Sequence, residues 1–291
     1  MTEDPFVTHR GLLFTVAYEL LGSAADAEDV LQESWLRWKD VDQGEVREPR
    51  AYLVRIVTRQ ALNHLRTVSR RREEYVGEWL PEPLLTSPDV ADDVELAESV
   101  SMAMLTVLET LAPTERAVFV LREVFDVPYD EIARAVDKSP AAVRQIAHRA
   151  KDHVAARRPR MTVDRTEQEA VVARFIAAVS SGDVQGLMDV LAPDVVSVAD
   201  GGGVVRGAAR RPIVGADKMA RYLVGGLSKL GRPFTARPIW VNGRSGVRVE
   251  VAGELVGAIS MDIEDGRIAR LYSVANPDKL GWLDEEAALT R

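Results

Sequence analysis

From Ala112 onward the chain reads APTERAVFVLREVFDVPYDEIARAVDKSPAAVRQIAHRAKDHVAAR, and few folds accept this pattern. Pro113 suits a first helical turn, and Ala117, Val118, Val120 and Leu121 supply an apolar side. A second short helix is predicted over Tyr129–Ala135, with Pro128 just before it. Val136, Asp137 and Lys138 then make a tight break, where Asp tolerates a left-handed backbone better than most residues. Ser139 can cap a third helix and Pro140 can occupy its first position. On that helix Val143, Ile146, Ala147, Ala150 and Val154 share one side. Arg144, Gln145, His148, Arg149, Lys151 and Asp152 share the other. This is a helix-turn-helix pattern, whose last helix fits a major groove and whose Arg and Gln can pair with base edges. A plain helical hairpin with a solvated charged face gives the same pattern, so this stretch alone leaves both readings open.

The 291 residues leave room for two or three domains. With no cysteine, disulfides, thiol sensing and Cys-ligated zinc are excluded. The four histidines lack carboxylates at ligand spacing, so neither a metal nor a cofactor is expected. No apolar run is long enough to cross a membrane and no secretory signal is visible, so a cytoplasmic location is expected. The net charge of −8 conflicts with a nucleic-acid partner only until its distribution is read. Glu73, Glu74, Glu78, Glu82, Asp89, Asp92, Asp93, Glu95 and Glu98 lie in one stretch without a single Lys or Arg. These nine acids exceed the whole deficit, so the flanking parts are neutral or basic.

In order, Phe6–Leu21 reads as a helix closed by Gly22, and Ser23 followed by Asp26 as a cap opening another to about Lys39. Ala27, Val30, Leu31, Ser34 and Trp38 cluster on one side of it, with Asp26, Asp29 and Glu33 on the other and Gln32 near the edge. After a polar loop, Asp40–Glu48, a long helix is predicted from Pro49 to about Ser69. Leu53, Ile56, Val57, Ala61 and Leu65 face inward; Arg55, Arg59 and Arg66 form an outer stripe, followed by Arg70, Arg71 and Arg72. Such a cluster suits phosphates, although it is also what a solvated helix end looks like.

DAEDVLQESWLRW, then PRAYLVRIVTRQALNHLR, then the helix-turn-helix together resemble bacterial sigma factors of the extracytoplasmic-function (ECF) class over residues 6–157. The resemblance implies an all-α sigma domain 2 over residues 1–72, an acidic, proline-containing linker over 73–98 and an all-α sigma domain 4 over 99–160. It implies that Asp26, Asp29, Gln32 and Glu33 dock on the RNA polymerase core. The Asp40–Glu48 loop and the helix with Arg55, Arg59 and Arg66 would open and read the minus-ten element of promoter DNA. The Ser139 helix, through Arg144, Gln145, His148, Arg149 and Lys151, would read the minus-thirty-five element. Asp137 stands where such turns commonly have Gly and Ala142 where Thr is common, which bears on promoter choice rather than class.

The linker holds Trp79-Leu80-Pro81-Glu82-Pro83 and should run extended. An amphipathic helix is predicted from Val94 through Leu111. Past Arg160, helices over Thr166–Ser181, Asp183–Leu191 and Gly215–Leu230 accompany strands at Val195–Ala199, Phe234–Val241, Arg244–Val251, Leu255–Ile263 and Arg267–Val274. Asn242-Gly243 and Asp265-Gly266 are hairpin turns. This order, with a long antiparallel sheet last, resembles the SnoaL-like α+β cone of the nuclear-transport-factor superfamily, over residues 164–291 with a C-terminal tail. Asp194, Asp200, Arg206 and Trp240 are possible pocket liners, but no acid–base pair assembles from them. Any small-molecule ligand of the cone is unknown.

Trp79–Pro83, the turn Asp200-Gly201-Gly202-Gly203 and the tail Asn276-Pro277-Asp278-Lys279-Leu280 together resemble a subgroup of ECF sigma factors with a fused SnoaL-like domain, the mycobacterial sigma-J type. In that subgroup the extension stands in for a separate anti-sigma protein. Trp79 cannot be buried by its own prolines, and Leu280 and Trp282 lack a local core, so the linker motif is expected to pack on the cone near the tail. The expectation is a multidomain transcription factor without chemistry of its own, regulated in cis. The rival is a SnoaL-like cyclase or isomerase tethered to DNA-binding helices, which would not need the acidic docking stripe.

Overall fold

A computed structural model describes residues 4–73, 75–157, 165–229 and 231–291; the side chains of residues 68–73 lie outside the description. The first part is helical: α1 (Pro5–Thr8), α2 (Arg10–Leu21), α3 (Ala24–Lys39) and α4 (Pro49–Glu73). Of the linker expected over 73–98, residues 75–87 run without helix and the rest is helical: α5 (Pro88–Asp92) and α6 (Val94–Ser99) come next, then α7 (Met102–Leu108), α8 (Pro113–Phe119), α9 (Tyr129–Val136) and α10 (Pro140–Ala155). The last part holds α11 (Arg165–Ser181), α12 (Val184–Val190), β1 (Leu191–Asp200), β2 (Ile213–Val214), α13 (Ala216–Ser228), β3 (Phe234–Val241), β4 (Arg244–Val251), β5 (Glu254–Glu264) and β6 (Arg267–Val274).

Local chemistry sets many of these ends. Ser23, Ser139 and Asp183 accept the N–H groups of Asp26, Ala142 and Gly186 and cap α3, α10 and α12. Asp137 closes α9 in the left-handed region at φ 55°. Other expectations need correction. The Phe6–Leu21 helix starts at Pro5, where Asp4 accepts the Phe6 N–H, and is interrupted at His9, whose backbone (φ −100°, ψ 8°) leaves the helical region. The helix expected from Val94 to Leu111 breaks at Val100–Ser101, where Ser101 caps α7. Helix α4 runs four residues past Ser69, and its Arg70–Arg72 cluster lies outside the described side chains.

The sheet runs β2-β1-β6-β5-β4-β3. It is mixed, not purely antiparallel, since β1 pairs parallel with β6 while the remaining pairs are antiparallel. Three apolar clusters fill the molecule. One runs from Trp38 and Val57 through Leu108 and Val118 to Ile132 and Val143, joining both helical parts, and includes Leu289 near the C-terminus. The second is the cone's own core, with Val172, Phe175, Met219, Val247, Met261 and Leu271. The third joins Leu80, Met102 and Ala103 to Ala258, Tyr272, Val274, Leu280 and Leu283.

Candidate nucleic-acid interface and interdomain seam

Helix α10 buries Val143, Ala147, Ala150 and Val154 and exposes Arg144, Gln145, His148, Arg149 and Lys151. The basic side chains are only partly spoken for. Lys151 Nζ meets Glu123 at 2.7 Å, which raises its pKa, and Arg149 lies 3.7 Å from Glu115. His148 pairs with Asp152 one turn on, at 2.8 Å. Helix α3 presents Asp29 and Gln32 to solvent. Asp26 instead pairs with His64 at 2.9 Å, and Glu33 accepts from the Gln60 amide at 2.7 Å, tying α3 to α4.

The α4 stripe is divided. Arg66 is exposed, and the Arg55 guanidinium lies 4.7 Å from the Tyr52 ring centroid. Arg59 donates to the main-chain carbonyls of Arg134 (2.7 Å) and Ala135 (3.4 Å), which close the C-terminal end of α9. A cationic side chain is favoured at that end by the unsatisfied carbonyls there. A cleft of about 600 Å³ separates the 42–48 loop from α9 and is lined by Glu45, Arg47, Tyr52, Arg55, Glu131 and Arg134.

The seam is built around Asp200, which is fully buried. Its carboxylate accepts from Tyr75 Oη (2.5 Å), the Leu80 N–H (2.9 Å), Lys279 Nζ (2.8 Å) and the Gly202 N–H (3.0 Å). Lys279 also donates to the Leu80 carbonyl and stands 4.1 Å from the Trp79 ring centroid. Asn276 donates to Tyr75 Oη at 2.8 Å, while its own Oδ1 accepts the Asp278 N–H and so sets the turn that starts at Pro277. Gly202 and Gly203 have φ of 61° and 73°, and a Cβ on either would collide with Asn276 or Val76. Gly201 is equally confined by Ala208. Burial and the short bond to Asp200 push the Tyr75 hydroxyl well above its ordinary range, so it stays a donor. Trp79 reaches across to Gly22, whose missing side chain leaves the ring room.

Leu80, Pro81, Glu82, Pro83 and Leu84 are all buried, so this part of the linker is extended but not solvated. Glu82 accepts from the Ser23 hydroxyl (2.9 Å) and from the N–H groups of Ala24 (2.7 Å) and Ala25 (3.1 Å). It is a second cap for α3 supplied from 58 residues away. Burial pushes its carboxyl up; the Ala25 N–H, the Ser23 hydroxyl and the Ala24 N–H pull it back.

Several seam residues carried no visible signal. The Asn242-Gly243 turn plugs the helical part. Asn242 Nδ2 donates to Tyr18 Oη (2.7 Å) and the Val100 carbonyl (2.8 Å), its Oδ1 accepts the Leu84 N–H, and the Gly243 N–H donates to Thr86. The linker residues Leu84–Thr86 lie along the end of β3, with the Asn242 N–H on the Leu84 carbonyl and the Thr86 N–H on the Trp240 carbonyl, each at 3.0 Å. Their other edge is closed by the tail, where the Leu85 N–H meets the Trp282 carbonyl and the Ala287 N–H meets the Leu85 carbonyl. The linker is thus added to a sheet edge like a foreign strand. Trp282 packs on Phe14, and Arg291 pairs with Asp93 and Glu95.

The four possible pocket liners are not brought together. Asp200 belongs to the seam, Trp240 lies at the sheet edge under the Arg165 guanidinium, and Asp194 and Arg206 are exposed. Asp262, pushed up to about 6 by burial, accepts from the Tyr272 hydroxyl on the sheet face turned away from the cone's own helices.

Two all-α parts, one a helix-turn-helix with a basic outer helix, joined by a linker clasped on an α+β cone, define a sigma factor with a fused C-terminal domain. Family models agree: Sigma-70 region 2 matches residues 6–71 and Sigma-70, region 4 matches residues 101–154. The chain is 37% identical to the ECF RNA polymerase sigma factor SigJ of Mycobacterium tuberculosis, covering 96% of this chain and 93% of that one. It is 30% identical to the RNA polymerase sigma-E factor of Streptomyces coelicolor over 152 residues, 51% of this chain and 80% of the other. The crystal structure of M. tuberculosis SigJ superposes with a TM-score of 0.75 at 35% identity, covering 94% of this chain and 96% of that one. The chain therefore belongs to the ECF family of RNA polymerase sigma factors, which are not enzymes. No helix among the described residues is long and apolar enough to cross a membrane.

Proposed function

We propose that this chain gives RNA polymerase core its promoter specificity in the cytoplasm, and that its cone acts in cis to hold the DNA-reading helices in a closed state. Asp29 and Gln32 on α3, with Asp26 and Glu33 beside them, serve polymerase docking. Helix α10 reads the upstream element through Arg144, Gln145, His148, Arg149 and Lys151, and α4 opens the downstream one through Arg55, Arg59 and Arg66.

One observation carries the closed state: Arg59, on the helix that opens DNA, is bonded to the main chain of α9 in the helix-turn-helix. Elements centred at minus ten and minus thirty-five are about 25 base pairs apart, or ~85 Å along B-DNA at 3.4 Å per base pair. Two modules sharing one apolar core cannot reach that far, so promoter binding requires the α4–α9 contact to part. The linker between them is the segment that the cone and tail grip, and loosening that grip beyond Val76 sets activity.

The test is transcription from a promoter library with purified core polymerase. Arg144→Ala should lower promoter-dependent transcription by the equivalent of about 1–3 kcal/mol, the range for one base contact, with thermal stability unchanged. Transcription equal to the parent's would remove α10 as the reading helix.

A further inference from the structure

Of the chain's charged surface, one segment is used neither by the two helical parts nor by the seam: the loop from Val204 to Pro212 that leaves the Asp200–Gly203 turn. Arg206, Arg210 and Arg211 are all exposed there, and no acid occurs between Asp200 and Asp217. Both flanking acids are engaged elsewhere. Asp200 is buried against Lys279, and Asp217 accepts from Arg221 at 2.9 and 3.0 Å. The three arginines make no ion pair with a described residue. Lys218 adds a fourth exposed cation, one turn before Tyr222 on the same face of α13.

The loop is nevertheless a built one. The N–H groups of Val204 and Val205 both donate to the Gly201 carbonyl at 3.1 Å, and Tyr222 Oη donates to the Gly207 carbonyl at 2.7 Å. Like charges held on a braced backbone repel one another, and a polyanion relieves that repulsion. Its position says which polyanion. Gly203 packs against Val76 and Asp200 binds Tyr75, so the start of the loop lies where the chain has just left α4, the helix that carries Arg66 and, by sequence, Arg70–Arg72.

We propose that the Val204–Pro212 loop is a further DNA contact, in which Arg206, Arg210 and Arg211 grip the sugar–phosphate backbone beside the segment bound by α4. The partner's identity rests on the sigma-factor reading. Exposed arginines on a loop that inserts no helix or strand into a groove meet phosphates rather than base edges, so the contact adds affinity without sequence preference. The cone thereby takes part in the DNA complex and does not merely restrain it.

The experiment uses the full chain, alone and bound to polymerase core, titrated onto a short fluorescein-labelled duplex of mixed sequence across a salt series. The test variant combines Arg206→Gln, Arg210→Gln and Arg211→Gln. The control is Arg221→Gln, which removes an exposed arginine that is already paired. The slope of log K against log salt should shrink by about 2–3 in the triple variant, at about 0.9 for each phosphate the protein no longer neutralises, and stay constant in the control. Thermal midpoints should match the parent's, as all four positions are exposed. An unchanged slope overturns the proposal, as does a loss confined to core-polymerase affinity, which would make the loop a polymerase contact. Because the duplex has no promoter, failure here leaves the Arg144 test of promoter reading untouched, and failure there leaves this one intact.

Discussion

The cone buries both faces of one sheet, and the covers come from different places. Val247, Met261 and Leu271 pack on Val172, Phe175 and Met219, residues of helices α11 and α13 within the same domain. Ala258, Tyr272 and Val274 face the other way. They are covered by Leu80 from the linker, Met102 and Ala103 from the helix-turn-helix part, and Leu280 and Leu283 from the tail. The first face is closed by the cone's own chain. The second would be open to water if the cone left the sigma part, and that exposed apolar area is what favours the closed state. The first face also contains no buried ion pair among the described residues, whereas the second is edged by Asp200–Lys279 and Asn242, groups that must be satisfied together or not at all.

The largest effect is expected on the first face. Phe175→Ala should cost the cone about 4 kcal/mol, measured by chemical denaturation, as a large cavity opens in a core that cannot collapse. If the helical part lost as much stability as the cone, the two faces would not be separable. Next is Lys279→Ala, which leaves Asp200 buried without its cation and should cost about 3 kcal/mol. Trp79 emission, with the other tryptophans replaced, should shift red in that variant. Pairing it with Asp200→Asn should recover much of the loss, and no recovery would mean the charge pair is not what closes the seam.

A smaller cost, about 2 kcal/mol, is expected for Asn242→Ala, which leaves Leu84 and Val100 without their side-chain partners. Asn242 has φ 53°, so Asn242→Gly keeps the backbone conformation and isolates the hydrogen bonds. A Gly variant as stable as the parent would reduce the plug to a simple turn.

The most gradual effect is set by pH. Glu19 is fully buried against Ser99, and desolvation pushes its carboxyl up to about 8 from an ordinary 4.5. The folded chain therefore holds a proton that the unfolded chain has released. The resulting stability is complete below the ordinary value and is lost as pH rises through about 8. Glu19→Gln mimics the neutral acid, keeps the Ser99 bond and should flatten the fall in thermal midpoint between about pH 5 and pH 8. Glu82 and Asp262 shift in the same direction and leave some slope behind. Parallel curves for parent and variant would show that Glu19 does not titrate in this range.

Much of the site was legible because its signals are local. The caps Ser23, Ser139 and Asp183, the left-handed Asp137 and the two-sided pattern of α10 each depend on neighbours within a few residues. The motifs of the linker, the Asp200 turn and the tail could be picked out as a set through resemblance alone. That the linker motif packs on the cone near the tail followed from Trp79, Leu280 and Trp282, which lack a local core; which polar groups pair there did not. Glu82 looked like one linker charge among nine and is an α3 cap. Asn242-Gly243 looked like a hairpin turn and is also a plug. The α6–α7 break was illegible because the Val100 carbonyl is taken by Asn242, 142 residues on. The parallel β1–β6 pairing was missed because register across a sheet depends on chain that is distant in sequence.

The order of amino acids by itself determined the helices, their caps, the hairpins and the chemistry of each exposed face, since these follow from backbone preference and periodicity over short spans. Tertiary structure alone decided that Arg59 faces α9 rather than solvent, that the linker's Glu82 is buried as a cap of α3, and that one lysine, Lys279, satisfies both Asp200 and Leu80. Those outcomes require segments up to about 200 residues apart to lose their water at the same place. A buried polar group is tolerated only when its partner arrives with it, and no short stretch of sequence records which partner that will be.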